Sequence, residues 1–242
     1  MISVIASAVK TQYWLNLYQS LLDNKMPFEI VFAGHTKPNF ELPNNFHYIH
    51  SGASPVTCVE IAYRKSVGDF IICTGDDHRF SPAYLDTLYK WYVRLRNDKF
   101  IVGSRGVDSP ADMPLIPDAS YTISHPQYND GCLKCFKEDM SPVMMFPPLI
   151  PRKAWEECGG VDSRFWGVNW NMDFQLRLYK SGYLPFIAVD AYSWEIRPET
   201  KKGRLSKREQ SRGDRGLLKS LWQFDKDGID YRRTDKVKGF KF

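Results

Sequence analysis

Cysteine is scarce in this chain: only five of its 242 residues are cysteines, and the number is odd. A disulfide framework needs an even and denser set, so the count predicts a reducing compartment, the cytoplasm. One closely spaced pair, Cys132 and Cys135, is flanked by His125 upstream and Cys158 downstream. Zinc normally takes four ligands from two such pairs, so a zinc site and buried thiols both stay open, with buried thiols favoured.

Long apolar runs are also absent. No stretch approaches the roughly 20 apolar residues that a membrane-spanning helix needs, so we expect no transmembrane segment. The first ten residues, MISVIASAVK, have no basic start before their apolar run, which predicts a first strand rather than a signal peptide. The 43% of hydrophobic residues instead predicts one sizeable core.

Acidic residues are few at the C-terminal end. Residues 201–242 hold 14 Lys and Arg against 6 Asp and Glu, whereas residues 1–200 hold 19 against 22. The sequence therefore predicts a slightly acidic domain over 1–195 and a basic extension over 196–242. The extension is either a solvated helical surface or a contact for the phosphates of nucleic acid or of an anionic membrane.

The first hundred residues alternate between strand and helix patterns, and no internal repeat interrupts them. This order predicts an α/β fold, a mainly parallel sheet with helices on both faces. Ser81 is expected to cap the third helix, with Pro82 in its first turn. The predicted strands are 2–9, 28–33, 46–50, 69–74 and 100–103, and the predicted helices are 13–22, 56–66 and 81–97.

The second half is less regular. Residues 104–151 hold eight of the fifteen prolines and predict a long loop region. A helix is expected to begin at 151, an amphipathic helix to cover 171–183, and a late strand to follow in LPFIAVDAYSWEI.

One short stretch combines a predicted strand with acidic residues at its end. In VGDFIICTGDDHRFSP, residues 67–82, an apolar strand ends in two adjacent carboxylates, Asp76 and Asp77, followed by His78. Carboxylates near the protein interior are costly unless they meet a metal, a cation or solvent. Ligands of open α/β sheets bind at the carboxyl ends of the strands. The pattern therefore predicts a ligand site at this strand end.

The order of these motifs resembles the GT-A glycosyltransferases, in particular the family-two group that uses nucleotide-sugar donors. The resemblance spans about residues 2–195 and rests on ISVIASAV, FEIVFAG, GDFIICTGDDH and GGVDSRFWGVNWNMDFQLRLYKSGY. It implies a Rossmann-like, mainly parallel sheet. It also implies a metal-dependent transfer of a sugar to a hydroxyl group, with a UDP-sugar as the default donor.

The resemblance also implies a metal site. In such enzymes Mn²⁺ or Mg²⁺ neutralises the leaving diphosphate. Asp77 is the first candidate for the metal contact, and His78 and Glu195 are further candidates. The family's nucleobase-binding Asp is missing from AGHT, residues 33–36, and VE, residues 59–60, replaces its Arg-Asn pair, so the base preference stays open. The donor-binding residues implied in this way are Ser7, Ala8, Gly34, Glu60, Asp76 and Asp77.

The same alignment leaves the catalytic base open. The family's D-L-x-x-R pattern matches 173–177 and puts Asn171 at the position of the catalytic Asp of inverting enzymes. An amide cannot accept a proton at neutral pH. Either Asp173 is the base, or Asn171 only orients groups and the enzyme retains configuration or uses Asp162 or Glu195. An acid in the first turn of a helix is also favoured by the helix dipole alone.

The acceptor is inferred from aromatic and basic residues. Trp166 and Trp170 could stack on a sugar or a nucleobase. A basic appendage on such an enzyme resembles the phage-type glycosyltransferases that modify hydroxymethylated bases in DNA, which act in the host cytoplasm. Double-stranded DNA is therefore the leading acceptor, followed by a surface glycan. A nucleotidyltransferase and a non-catalytic nucleic-acid-binding protein on a decayed transferase fold are the alternatives. The candidate phosphate contacts are Lys207, Arg208, Arg212 and Arg215.

Overall fold

A computed structural model describes residues 1–110, 147–197, 205–222, 224–225 and 228–229. Cys132, Cys135 and His125 lie outside these residues. The strands are β1 (Ile2–Ser7), β2 (Phe28–Gly34), β3 (Phe46–His50), β4 (Phe70–Cys73), β5 (His78–Phe80), β6 (Phe100–Pro110), β7 (Leu149–Pro151), β8 (Leu184–Arg197), β9 (Phe224–Asp225) and β10 (Gly228–Ile229). The helices are a 3-10 turn (Thr11–Tyr13), α1 (Trp14–Gln19), α2 (Pro55–Lys65), α3 (Tyr84–Leu95), α4 (Arg152–Glu157), α5 (Trp170–Lys180) and α6 (Leu205–Trp222).

An eight-stranded sheet organises the chain, in the order β3-β2-β1-β4-β7-β6-β8-β5. Strands β3, β2, β1 and β4 are parallel to one another, and β6 is parallel to β8. Strand β7 runs antiparallel to β4 and β6, and β5 runs antiparallel to β8. The predicted α/β fold with a mainly parallel sheet and flanking helices is confirmed.

Helices cover both faces of the sheet because the central strands are apolar on both sides, as parallel strands usually are. In β1, Val4 and Ile5 are both fully buried and belong to different core clusters, since successive side chains point to opposite faces. The cluster on one face includes Trp14 of α1 and Leu88 of α3. The cluster on the other face joins α2, α4, α5 and α6 and includes Trp222.

The N-terminal end of α3 differs from the prediction. The helix begins at Tyr84, after Ala83 with a φ of 50°, and Ser81 does not cap it. Ser81 pairs with the sheet instead, because its backbone N–H donates to the carbonyl oxygen of Tyr192 at 3.0 Å and its Oγ accepts from the N–H of Tyr192 at 3.0 Å. The cap comes from a distant turn: the N–H of Leu85 donates to Oδ1 of Asn24 at 2.7 Å.

The two ends of the predicted loop, residues 104–151, form strands. Strand β6 continues to Pro110, and β7 occupies Leu149–Pro151, so both flanks of the predicted loop belong to the sheet. Residues 111–146 lie outside the described part. Strand β5 was not predicted. Its three residues are too few to show an alternation of apolar and polar side chains, and the strand depends on pairing with β8. Across the described residues, the helices are all too short or too polar to cross a membrane.

Candidate donor and acceptor site

The carboxyl ends of β1 and β2 meet beside the end of β4, since β1 lies between the other two strands. Ser7 ends β1, and the N–H of Ala8 donates to the carbonyl oxygen of Ala33 at 2.9 Å. At Gly34, a Cβ atom would lie 1.9 Å from the carbonyl oxygen of Ala8, so only glycine fits this close approach. Three predicted donor-binding residues thus line one edge of the sheet.

Asp76 fixes the chain that follows β1. Its Oδ2 accepts hydrogen bonds from the backbone N–H groups of Val9 and Lys10, each at 2.5 Å, and from Nε1–H of Trp14 at 3.2 Å. Burial raises the pKa of Asp76 above its ordinary value, although these three donors favour the charged form. Asp76 therefore holds the turn after β1 against the end of β4.

Asp77 is buried and faces a cation. Its Oδ2 is hydrogen-bonded to the ammonium of Lys10, and its Oδ1 lies 3.7 Å from Nδ1 of His78. Burial acts to raise the pKa of Asp77, but hydrogen bonds and charge from His78 and Lys10 outweigh it and hold the pKa at about 2. Asp77 therefore stays ionised at neutral pH.

Gly75 makes room for this arrangement. A Cβ atom there would lie 2.7 Å from Oδ1 of Asp77 and 2.7 Å from Nδ1 of His78. Both atoms belong to buried side chains that cannot retreat easily. The glycine therefore allows the two side chains to fold back over the strand end.

Glu195 completes the group at the strand ends. It lies directly opposite His78 in the antiparallel β5–β8 pair. Burial acts to lower the pKa of Lys10, and the hydrogen bond and charge of Asp77 act to raise it. The charges of Asp76 and Glu195 act in the same direction, and the pKa of Lys10 lies above its ordinary value. The charges of Asp76, Asp77 and Glu195 thus act on one lysine that the sequence analysis did not predict.

A divalent cation at these strand ends would need ligands from the substrate as well as from the protein. The described residues contain no group of three His, Cys, Asp or Glu side chains that could hold a metal ion by themselves. Mg²⁺ and similar ions commonly use one or two carboxylates and take their remaining ligands from substrate phosphates. The carboxyl groups of Asp76, Asp77 and Glu195 outnumber the one ammonium of Lys10, and this excess of negative charge would favour a cation. Asp77, which is buried and ionised, could supply one such carboxylate.

Glu60 lies elsewhere. It sits in the middle of α2, where its Oε1 accepts a hydrogen bond from Nε of Arg64 at 2.7 Å. Its Oε2 packs beside Gly160 and close to the indole of Trp155, against α4. Burial raises the pKa of Glu60 above its ordinary value. This geometry indicates a packing role, and it does not support the predicted contact with the donor.

Asp173 is enclosed by α5 and α6. The residue is fully buried, its Oδ2 accepts from Nε of Arg177 at 2.9 Å, and its Oδ1 accepts from Nε1–H of Trp222 at 2.8 Å. The guanidinium of Arg177 also donates to the carbonyl oxygen of Cys158 at 2.5 Å. Asn171, two residues earlier on α5, is only half-buried. The burial of Asp173 favours a structural role, and its role as a base stays a prediction.

The other acid weighed as a base, Asp162, is also engaged. It is fully buried and forms a close ion pair with Arg164, whose Nη2 lies 2.6 Å from Oδ2. Of the three carboxylates considered, Asp162 and Asp173 are closed off, whereas Glu195 is half-buried at the strand ends.

The turn at residues 166–168 is held by α6. Both oxygens of Asp214 accept from backbone N–H groups: Oδ1 from Trp166 at 2.9 Å, and Oδ2 from Gly167 at 2.9 Å and from Val168 at 2.8 Å. Asp214 is itself buried. It therefore binds α6 to the turn that presents Trp166.

Comparisons with known proteins place this geometry in a fold family. The chain is similar to S. aureus TarS 1–349 in complex with UDP, with a TM-score of 0.60, 11% identity and coverage of 90% of this chain and 65% of that chain. It is also similar to GalNAc-T7 with UDP, GalNAc and Mn²⁺, with a TM-score of 0.67, 10% identity and coverage of 93% and 48%. The chain has the GT-A glycosyltransferase fold.

At these identities the similarity concerns the fold, and the chain spans less than two thirds of the length of either protein. A third structure, TarS 1–349 with UDP-GlcNAc, matches at a TM-score of 0.58 and 13% identity over 85% of this chain and 60% of that chain. Neither a family model nor the sequence of a curated protein matches.

Within this GT-A fold, the predicted acceptor residues are placed as follows. Trp166 is 43% exposed, whereas Trp170 packs partly against the core. Arg215 is exposed on α6, next to the buried Asp214 that holds the turn of Trp166. The side chains of Lys207, Arg208 and Arg212 lie outside the described residues, although α6 itself covers their positions.

Three residues of this site were missed by sequence reasoning. Lys10 carried a usable signal, because it is a charged residue directly after the first strand, at the carboxyl edge of the sheet. Gly75 stands between the strand and the acids, and a glycine there indicates close backbone packing. Asp214 gave little signal, since one acid within a basic helix is ordinary.

Proposed function

We propose that this protein is a glycosyltransferase that moves a sugar from a nucleotide-sugar, a UDP-sugar by default, to a hydroxyl acceptor, with Mn²⁺ or Mg²⁺ as its cofactor. One observation carries the proposal: a buried, ionised Asp77 and its neighbours stand at the carboxyl ends of the parallel strands of a GT-A fold. The UDP, UDP-GlcNAc and Mn²⁺ named with the similar structures support this choice of donor and metal.

The reaction breaks the bond between the anomeric carbon and a diphosphate oxygen, and it forms a bond to the acceptor oxygen. A bound divalent ion would supply a Lewis acid for the negative charge on the leaving diphosphate. Asp77 is the residue that would hold the ion, and Glu195 lies opposite the neighbouring His78 in the β5–β8 pair. Asp76 fixes the turn after β1, and the Ala8–Gly34 contact keeps backbone close to the donor.

The acceptor must also lose a proton. A general base has to come within hydrogen-bond reach of the acceptor hydroxyl. Asp173 and Asp162 are fully buried in ion pairs, whereas Glu195 is half-buried, so we propose Glu195 as the base ahead of Asp173. If no side chain acts as the base, the alternative is a retaining mechanism in which the departing diphosphate oxygen accepts the proton of the acceptor hydroxyl.

We further propose that the acceptor is a hydroxymethylated base in double-stranded DNA. Exposed Arg215 and Lys219 lie on α6, and the buried Asp214 ties the same helix to the turn of exposed Trp166. Cations that track phosphates beside an aromatic ring that stacks on bases suit a nucleic acid. In this proposal, residues 1–195 form the catalytic domain and 196–242 form the acceptor-binding extension.

A binding experiment tests the donor. We would measure the thermal shift of the protein with UDP, ADP, GDP and CDP, each with Mn²⁺ and with EDTA. UDP with Mn²⁺ is expected to give the largest shift, because a ligand of the folded state raises its stability by mass action. No shift with any nucleotide in either condition would contradict the proposal and favour the decayed-fold alternative.

Two further measurements identify the reaction and the acceptor. Release of UDP from a UDP-sugar supports a glycosyltransferase, whereas release of pyrophosphate from a nucleoside triphosphate indicates a nucleotidyltransferase. Binding of duplex DNA should weaken with salt, with a log–log slope of about −0.9 per phosphate contact. Absence of DNA binding near physiological salt would remove DNA as the acceptor and leave a glycan.

A further inference from the structure

Lys10 is held at two points of the candidate donor site. Its backbone N–H donates to Asp76, and its ammonium is hydrogen-bonded to Asp77. The side chain of Lys10 is 32% exposed, whereas that of Asp77 is 5% exposed. The backbone of the lysine is therefore fixed, and its partly exposed ammonium contacts a buried carboxylate.

The charges around Lys10 suit it to bind an anionic ligand in addition to Asp77. In the free protein its ammonium balances Asp77, a buried charge that would otherwise be strongly unfavourable. A diphosphate brings more negative charge to a place that already holds Asp76 and Glu195. An ammonium has three N–H donors on a flexible four-carbon stem, so it can turn to a new acceptor without moving the backbone.

We propose that Lys10 is a diphosphate-binding residue: its ammonium holds Asp77 in the free protein and donates to a phosphate oxygen when the donor binds. This inference rests on the proposed function and deepens it. Asp77 would hold the cation that accompanies the diphosphate, and the ammonium of Lys10 would then donate to a phosphate oxygen instead of to Asp77. Asp76 keeps the backbone of Lys10 in place throughout, because its three hydrogen bonds do not involve the ammonium.

The test compares UDP with uridine, which lacks the diphosphate, by calorimetric titration at saturating Mn²⁺. In Lys10→Met the affinity for UDP should fall by about 10- to 100-fold, the usual effect of losing a hydrogen bond to a charged group. The affinity for uridine should not change. Lys10→Arg keeps the charge and should stay within about threefold of the wild type for UDP. Lys90→Met, an exposed lysine on α3, is the matched control.

Two results would overturn the inference. Unchanged affinity of Lys10→Met for UDP would show that the ammonium does not contact the phosphates. An equal loss for uridine and UDP would show that Lys10 only supports the fold of the site. Failure of the wild type to bind UDP is a different outcome, because it overturns the proposed function and the inference with it.

Discussion

Replacing Asp173 by Asn distinguishes a structural carboxylate from a catalytic base. Asn has nearly the same shape and can still accept from Nε1–H of Trp222, but it leaves the guanidinium of Arg177 without its counter-charge. Arg177 is only 6% exposed. Removing one partner of a buried ion pair lowers the free energy of unfolding by about 3–5 kcal/mol. In a domain of this size, each kcal/mol lowers Tm by about 2–4 °C, so we expect a drop of roughly 6–20 °C.

The assay is thermal unfolding followed by circular dichroism, with turnover measured well below Tm. Arg177→Met in the Asp173→Asn background should recover a large part of the lost stability, because the uncompensated charge is removed. Glu41→Gln, at an exposed acid, is the control. A Tm within about 2 °C of the wild type, together with turnover reduced by about 100-fold or more, would refute the reasoning and identify Asp173 as the base.

Two further predictions concern the strand end and α6. Asp77→Asn should keep the fold but abolish the Mn²⁺-dependent thermal shift by UDP, because the charge that would hold the cation is lost; an unchanged metal-dependent shift would contradict this assignment. Asp214→Ala removes the acceptor of three backbone N–H groups and should destabilise by about 3 kcal/mol, which lowers Tm by roughly 6–12 °C. Arg215→Ala, the exposed neighbour, should change Tm by less than about 2 °C, and equal shifts for the two variants would argue against the role of Asp214.

Much of the fold could be read from local patterns. The apolar runs of β1, β2 and β4 and the helical spacing between them follow from burial on both faces of a parallel sheet, which requires a continuous apolar strand. The position of Asp76 and Asp77 within four residues of the end of β4 was enough to place them at the carboxyl edge of the sheet. The candidate donor site was predictable to that extent.

Contacts between distant segments could not be read in this way. The cap of α3 by Asn24 and the pairing of β5 with β8 depend on how turns and strands meet, which no local period records. The burial of Asp173 could not be predicted either. The sequence shows an acid in the first turn of a helix, and this pattern is the same whether the side chain faces solvent or contacts Trp222 of α6.

The sequence by itself determined the alternating strands and helices, the acidic end of β4 and the basic composition of the C-terminal segment. Tertiary structure alone decided that Lys10 meets Asp77, 67 residues away, and that Asp214 binds the turn at 166–168 from a distance of 46–48 residues. The physical reason is that periodicity and turn chemistry act over a few residues. Electrostatic partners of a buried carboxylate are set by the order of strands in the sheet and by which helix covers it.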